Sequence, residues 1–297
     1  MKYDKWLGKN TESLVGKTVA ISGSTGGLGK HLCRYLAYLG ADLVLLDRNR
    51  TRSEENKLSL EKEFPGVAVS LVTVDFVDSF SVAEATERLK QIEPDIFIHN
   101  AGAYSIPRCT ANSGYDNVFT INFISPYYMI RELLPILRKK QGRAVVVGSI
   151  AHNYSKMNEG DHDFSGVKAA SKVYGNAKRF LMFSLYELFK NEAEATLSVT
   201  HPGITFTNIT SHYPKVIFAI IKHPMKIIFM RPEKAALSIV KGFFSPTEYH
   251  TWYGPRVFDV WGLPSKKKLR TCKTAESERI AEIAEQIYIE LKGKLNA

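Results

Sequence analysis

Residues 17–29 read Lys17-Thr18-Val19-Ala20-Ile21-Ser22-Gly23-Ser24-Thr25-Gly26-Gly27-Leu28-Gly29, an apolar run broken by a glycine-rich turn, and Lys30 to Leu39 then returns to helical periodicity. The pattern is strand, turn, helix. Glycines at such a turn let the backbone approach a pyrophosphate. The free amides at the helix start, with the helix dipole behind them, attract its negative charge. Gly23, Thr25, Gly26, Gly27, Leu28 and Gly29 are therefore candidate cofactor contacts. A plain loop shares this composition, but the place directly after one strand and before one helix favours the binding turn.

Working outward, Asp42 to Leu46 is a second apolar run and ends in Asp47, close to twenty residues after the turn. A carboxylate there accepts hydrogen bonds from an adenosine ribose, which slightly favours NAD. Arg48 follows at once and can instead pair with the 2′-phosphate of NADP, so both cofactors stay open. Alternation continues through helix Ser53 to Phe64, strand Ala68 to Val74, the pair Asp75 and Phe76, helix Ser81 to Gln91, and strand Asp95 to His99 running into Asn100-Ala101-Gly102. Strands separated by helical stretches of this length imply right-handed crossovers and a parallel sheet, with ligands at the strands' carboxyl ends. Asp75, Phe76, Asn100, Ala101 and Gly102 sit at such ends. The expected fold is α/β: a Rossmann-type doubly wound parallel sheet, one NAD(P)-binding domain over residues 1–297, with about 205–260 forming a C-terminal segment that covers the substrate.

Tyr115 to Lys140 is a long amphipathic stretch holding Asn122 among apolar neighbours, where an amide needs a buried partner or a water chain. Strand Arg143 to Val147 ends in Gly148-Ser149, again at the active edge. Residues 151–173 are polar. His152, Asp161, His162 and Asp163 have no metal-ligand spacing, so a solvated loop is expected. Val173 to Lys190 is helical, and Tyr174 and Lys178, four residues apart, share one face. An ammonium beside a phenol stabilises its anion and makes tyrosine usable as an acid or base near neutral pH. The same spacing recurs at Tyr186 and Lys190 and at Tyr288 and Lys292, so position relative to the other motifs must choose. Strand Ala195 to Thr200 leads to the rigid turn that includes Pro202, Gly203, Ile204 and Thr207. Ser211 to Met230 is apolar and basic, in runs too short to span a bilayer; it reads as a substrate cover, or else as a weak membrane-surface contact. Pro232 to Phe244 and Ser277 to Leu291 are helical patterns assigned to packing.

Composition sets bounds. With 297 residues, 44% of them hydrophobic and 24% charged, the chain has ample material for a core. A formal charge of +10 suits an anionic partner such as a phosphate-bearing cofactor. The basic residues are scattered and carry no nucleic-acid motif, so nucleic-acid binding is not expected. Three dispersed cysteines show neither metal nor redox spacing and fit a reducing compartment. No apolar leader or spanning segment is visible, so the expected location is cytoplasmic.

Taken together, the chain resembles the short-chain dehydrogenase/reductase family, in particular its retinol dehydrogenase-like branch. The likeness rests on the ordered series Ser22-Gly23, Gly27-Leu28-Gly29, Asn100-Ala101-Gly102, Asn122, Ser149, Tyr174 with Lys178, and Pro202-Gly203. The separation of Ser149 and Tyr174, about 25 residues, is that of the retinol dehydrogenase-like branch and selects Tyr174 over the other tyrosines. The resemblance implies hydride transfer between a nicotinamide and a carbonyl or alcohol, with no metal. Tyr174 would be the acid/base and Ser149 the hydrogen-bond donor to the developing alkoxide. Lys178 would lower the phenol's pKa and bind ribose, Asn122 would link that lysine to solvent through water, and Ile204 and Thr207 would hold the carboxamide. It leans toward apolar substrates; family members often pair through the two long helices, and Arg131 to Lys140 and Arg179 to Lys190 are either such surfaces of a homo-oligomer or plain exterior. Two other readings are a non-catalytic NAD(P) sensor and a peripheral membrane protein acting on lipid-like carbonyls. Departures are Ser22 for threonine, His99 for asparagine, and Arg179 where an apolar residue is common.

Overall fold

Short strands with buried residues along nearly their whole length can only stack side by side with helices over both faces. This chain does that. The structure, a computed structural model, describes residues 2–205 and 229–296. Its strands are β1 (Thr18–Ser22), β2 (Asp42–Asp47), β3 (Val69–Thr73), β4 (Ile96–His99), β5 (Arg143–Val147), β6 (Thr196–Thr200), β7 (Thr251–Val257) and β8 (Trp261–Lys268). They form one eight-stranded sheet in the order β3-β2-β1-β4-β5-β6-β7-β8. All pairs are parallel except β7 with β8. The order reverses between β1 and β4, which opens a crevice at their carboxyl ends.

The described helices are α1 (Asp4–Asn10), α2 (Gly27–Tyr38), α3 (Arg50–Glu63), α4 (Ser79–Ile92), α5 (Ser125–Lys139), α6 (Ala170–Leu188), α7 (Pro232–Phe244) and α8 (Thr274–Asn296). One face of the sheet packs Leu32 and Leu36 of α2, Leu60 of α3 and Leu237, Val240 and Phe243 of α7. The other packs Leu89 of α4, Leu133 of α5, Phe180 and Phe183 of α6 and Ile283 and Ile287 of α8. Each fully buried Phe or Leu contributes about 1.5–3 kcal/mol, so the two layers dominate stability. Among the described residues no helix is long and apolar enough to cross a membrane.

Two expectations need correction. The segment 205–260 is not one substrate cover. Pro232–Phe244 is a core helix and Thr251–Val257 a sheet strand with Trp252 and Tyr253 buried, because the helix carries an apolar stripe and the strand an apolar start that the core takes up. Residues 206–228, with most of the apolar basic stretch and Thr207, lie outside the described residues. Nor is 151–173 simply a solvated loop. Ile150–Tyr154 forms a 3-10 turn, and His152 is 1% exposed. Within the two stretches weighed as pairing surfaces or plain exterior, Arg131 and Arg179 are engaged by the chain's own α8. Arg131 pairs with Glu285 at 2.6 Å, and Arg179 with Glu276.

Candidate active site

The glycine turn is shaped by contacts that leave no room for side chains. Gly23 has φ +69°, and a Cβ there would come within 2.9 Å of Ala101 Cα. A Cβ on Gly29 would approach the Gly23 carbonyl oxygen to 2.1 Å. Gly26 begins α2 without a side-chain cap, which leaves first-turn amides to the groove. Asn100 fastens the turn to β4: its amide donates to the carbonyls of Ser22 (3.1 Å) and Gly23 (3.0 Å). These residues line a groove of about 410 Å3 together with Thr25, Gly27, Leu28, Asp75, Phe76 and Gly102. A cradle of glycines and uncapped amides fits a dinucleotide pyrophosphate.

Ser22 is informative. Its Oγ accepts from the amides of Asn100 and Ala101, both at 3.0 Å, so its own proton goes to His99 Nδ1 at 3.1 Å. This assigns the Nε2–H tautomer to His99. The ring is fully buried, edge-on to Phe76 at 5.3 Å, and burial followed by the charge of Lys178 holds its pKa well below the usual value.

Asp47, expected to meet a ribose, lines the groove and is also held by protein donors. It is 6% exposed. Its Oδ1 accepts from Thr25 N (3.2 Å) and Thr25 Oγ1 (3.0 Å), and its Oδ2 from Ser53 Oγ (2.8 Å) and Ser24 Oγ. Arg48 is exposed, 3.8 Å from Asp75, and borders the groove with Asn49 and Arg52. Sequence reasoning missed Ser24, Ser53 and Arg52 because a carboxylate's partners are set by how α3 packs, not by spacing from the glycines.

Tyr174 and Lys178 project from α6 toward the end of this groove. There Ser149, Ile150, Pro202, Gly203, Ile204, Tyr104 and Phe229 surround a second cavity of about 270 Å3 that shares Leu28, Asn100, Ala101 and Gly102 with the first. Lys178 is 2% exposed, lies 5.7 Å from the Tyr174 ring centre and donates to Val147 O at 3.0 Å. Burial pulls its pKa down to about 7. Burial pushes the Tyr174 phenol up to about 12, opposed by its hydrogen bond with Ser149. Burial of the pair disfavours tyrosinate and ammonium alike, and the hydrogen bond to Ser149 is what favours the phenolate here.

Asn122 lies in a π-helical turn, Thr120–Ile124, that precedes α5. Wider turns of this kind expose backbone groups to side chains. Its amide donates to Val118 O and Ala103 O, both at 2.8 Å, and its Oδ1 accepts from Ala103 N at 3.3 Å. A Cβ on Gly102 would meet Asn122 Oδ1 at 2.8 Å and Lys178 Nζ at 3.7 Å, so both side chains converge on that glycine. The rival pairs are spent elsewhere. Tyr186 donates to Thr251 O at 2.5 Å, and Tyr288 to Glu132 at 2.5 Å. Tyr104, edge-on to Tyr174 at 5.3 Å, was not singled out in the sequence; an aromatic two residues after a glycine carries no spacing signal.

The order of strands, the glycine cradle and a Ser-Tyr-Lys group at its end define a dinucleotide-dependent α/β protein. The chain belongs to the short chain dehydrogenases, whose family pattern it matches over residues 17–214. It is 29% identical over 215 residues to retinol dehydrogenase 14 of Homo sapiens, covering 66% of this chain and 64% of that one. It is 31% identical over 198 residues to dehydrogenase/reductase SDR family member 13 of Bos taurus, covering 64% and 52%. The chain thus spans under two thirds of these relatives. Among solved structures, an uncharacterized protein from Mycobacterium paratuberculosis superposes with TM-score 0.75 at 21% identity, covering 93% of this chain and 95% of the other. A short-chain dehydrogenase from Sphingobium yanoikuyae in complex with NADPH superposes with TM-score 0.59 at 22% identity, covering 76% and 84%.

Proposed function

We propose that this protein is an NADP-dependent reductase of apolar aldehydes or ketones, with Tyr174 as proton donor. The observation that carries the reading is the convergence of Ser149, Tyr174 and Lys178 where the dinucleotide groove opens into a small, largely apolar cavity. When bound, the nicotinamide supplies the hydride. Ser149 hydrogen-bonds the substrate oxygen, and Tyr174 gives it a proton. A phenol near 12 keeps its proton at neutral pH, which is the form that reduction requires. Lys178, held against Val147 O, and Asn122 keep the polar floor beneath the phenol in one arrangement.

Two observations support NADP over NAD. Asp47 already accepts four protein hydrogen bonds, whereas Arg48 and Arg52 border the groove. A planar guanidinium suits a phosphate ester, and a saturated buried carboxylate has little left for a ribose hydroxyl. Ile150, Ala151, Ile204, Phe229 and Tyr104 around the reacting position support an apolar substrate, as does similarity to a protein named for retinol. Fluorescence titration with NADPH and NADH, then loss of reduced-nicotinamide absorbance over a panel of aldehydes and ketones, tests the reading. Binding without turnover of any carbonyl, or turnover retained in Tyr174→Phe, would overturn it.

A further inference from the structure

Arg179 follows the lysine of the site at a position where an apolar residue would pack more cheaply, yet it is 4% exposed. Burying a guanidinium costs several kcal/mol unless every donor finds a partner. Here they do. Nε donates to Glu276 Oε1 at 2.6 Å and Nη2 to Glu276 Oε2, a bidentate pair. Nη1 donates to His152 O at 3.1 Å and Nη2 also to Thr271 O at 3.2 Å, while the guanidinium lies 4.5 Å over the Phe183 ring. One side chain of α6 therefore grips three segments: the 3-10 turn after β5, the segment after β8, and the first turn of α8.

His152 carries this grip to the site. Its Nδ1 lies 2.6 Å from the carbonyl oxygen of Ser149, and its Nε2 lies 3.0 Å from Thr271 Oγ1. A carbonyl can only accept, so Nδ1 bears the proton and Nε2 accepts from the Thr271 hydroxyl. Burial holds the ring neutral, with its pKa pulled down to about 4. Thr271 then cannot also donate to Asn153, so the Asn153 amide turns its nitrogen toward Thr271 Oγ1, a flip that the network assigns. The ring is fixed edge-on by Trp252 at 5.5 Å and Phe183 at 6.1 Å. Trp252 in turn stacks on His201 at 4.8 Å, directly before Pro202-Gly203. The two loops that flank the cavity thus rest on one buttress. Trp252, Thr271 and Glu276 all lie beyond the stretch that the family pattern matches.

We infer that Arg179 and His152 are positioning residues for Ser149, and that the C-terminal residues Thr271 and Glu276 complete the catalytic site from outside the dinucleotide-binding core. The inference rests on Ser149 being the hydrogen-bond partner of the reacting oxygen. His152 Nδ1–H fixes the Ser149 peptide, and Arg179 fixes the His152 peptide. Displacement of a reacting group by as little as 1 Å costs about 100-fold in rate.

The test uses the full chain with NADPH and its best carbonyl substrate. His152→Phe keeps the ring's packing and removes the side-chain donor to the Ser149 carbonyl, leaving only the backbone N–H of residue 152 at 3.2 Å. Arg179→Met combined with Glu276→Leu removes the charged pair without stranding either member. Each is expected to lower kcat about 10- to 100-fold while the cofactor Kd changes by less than about twofold. In alcohol oxidation, the pH limb set by Tyr174 should move upward, because loosening Ser149 removes a hydrogen bond that favours tyrosinate. Arg179→Lys keeps a charge for Glu276 but not the fork across two carbonyls, so it should recover thermal stability and not kcat. Unchanged kcat and pH limb in His152→Phe, beside an impaired Ser149→Ala, would overturn the inference alone. So would a kcat that follows melting temperature across the series. Full turnover in Ser149→Ala would remove the reading of Ser149, and this inference with it.

Discussion

Lys178 Nζ donates to the carbonyl oxygen of Val147 at 3.0 Å, so the lysine of helix α6 is tied to the last residue of β5, two positions before Ser149. Helix and strand are thereby locked at the point where the site needs them. Lys178→Met should leave that carbonyl without its partner and lower kcat at least about 100-fold, a loss of roughly 2.7 kcal/mol of transition-state stabilisation. Steady-state kinetics with a melting curve as control measures this.

Tyr174→Phe should abolish turnover and leave NADPH binding intact, read by fluorescence titration. In the wild type, the reduction rate should hold through neutral pH and fall only in the alkaline range, since the phenol, raised to about 12, acts in its protonated form. Alcohol oxidation should show the opposite slope.

Arg48→Ala should weaken NADPH about 10- to 100-fold, an effect of about 1.4–2.7 kcal/mol, and leave NADH nearly unchanged. Asp47→Ala should act differently. It strips four donors in the glycine turn and α3 of their acceptor, so it should cost stability, about 1–3 kcal/mol, rather than switch preference. Paired titrations and thermal melts separate the two.

Acid should destabilise the fold before most carboxylates titrate. His152 is held down at about 4, His201 at about 3 and His99 well below its usual value, all by burial. Their unfolded forms take up protons near 6.5, and the folded forms do not. Stability is therefore lost as pH falls from 6.5 toward 4, by up to about 1.4 kcal/mol per pH unit for each ring. Urea midpoints between pH 7 and 4.5 check the slope, and His99→Asn should flatten it.

Gly102→Ala should inactivate the protein more than it unfolds it. The added methyl would sit 2.8 Å from Asn122 Oδ1, near Lys178 Nζ, and must push one of them. Turnover beside an unchanged circular dichroism spectrum is the measurement.

The sequence by itself determined the alternation of strand and helix, the parallel sheet, the glycine cradle, and the choice of Tyr174 over Tyr186 and Tyr288. The first three are local, since period and turn chemistry are written in consecutive residues, while the choice of Tyr174 rested on its separation from Ser149 and the family resemblance that gives this meaning. What only the tertiary structure decided depends on partners distant in the chain. It joined Asp47 to Ser24 and Ser53, gave His99 its tautomer through Ser22, and set Thr251–Val257 in the sheet between β6 and β8. It also brought Glu276 across to Arg179, 97 residues away. A buried polar group takes whatever partner packing delivers, and packing between remote elements leaves no mark at any fixed spacing.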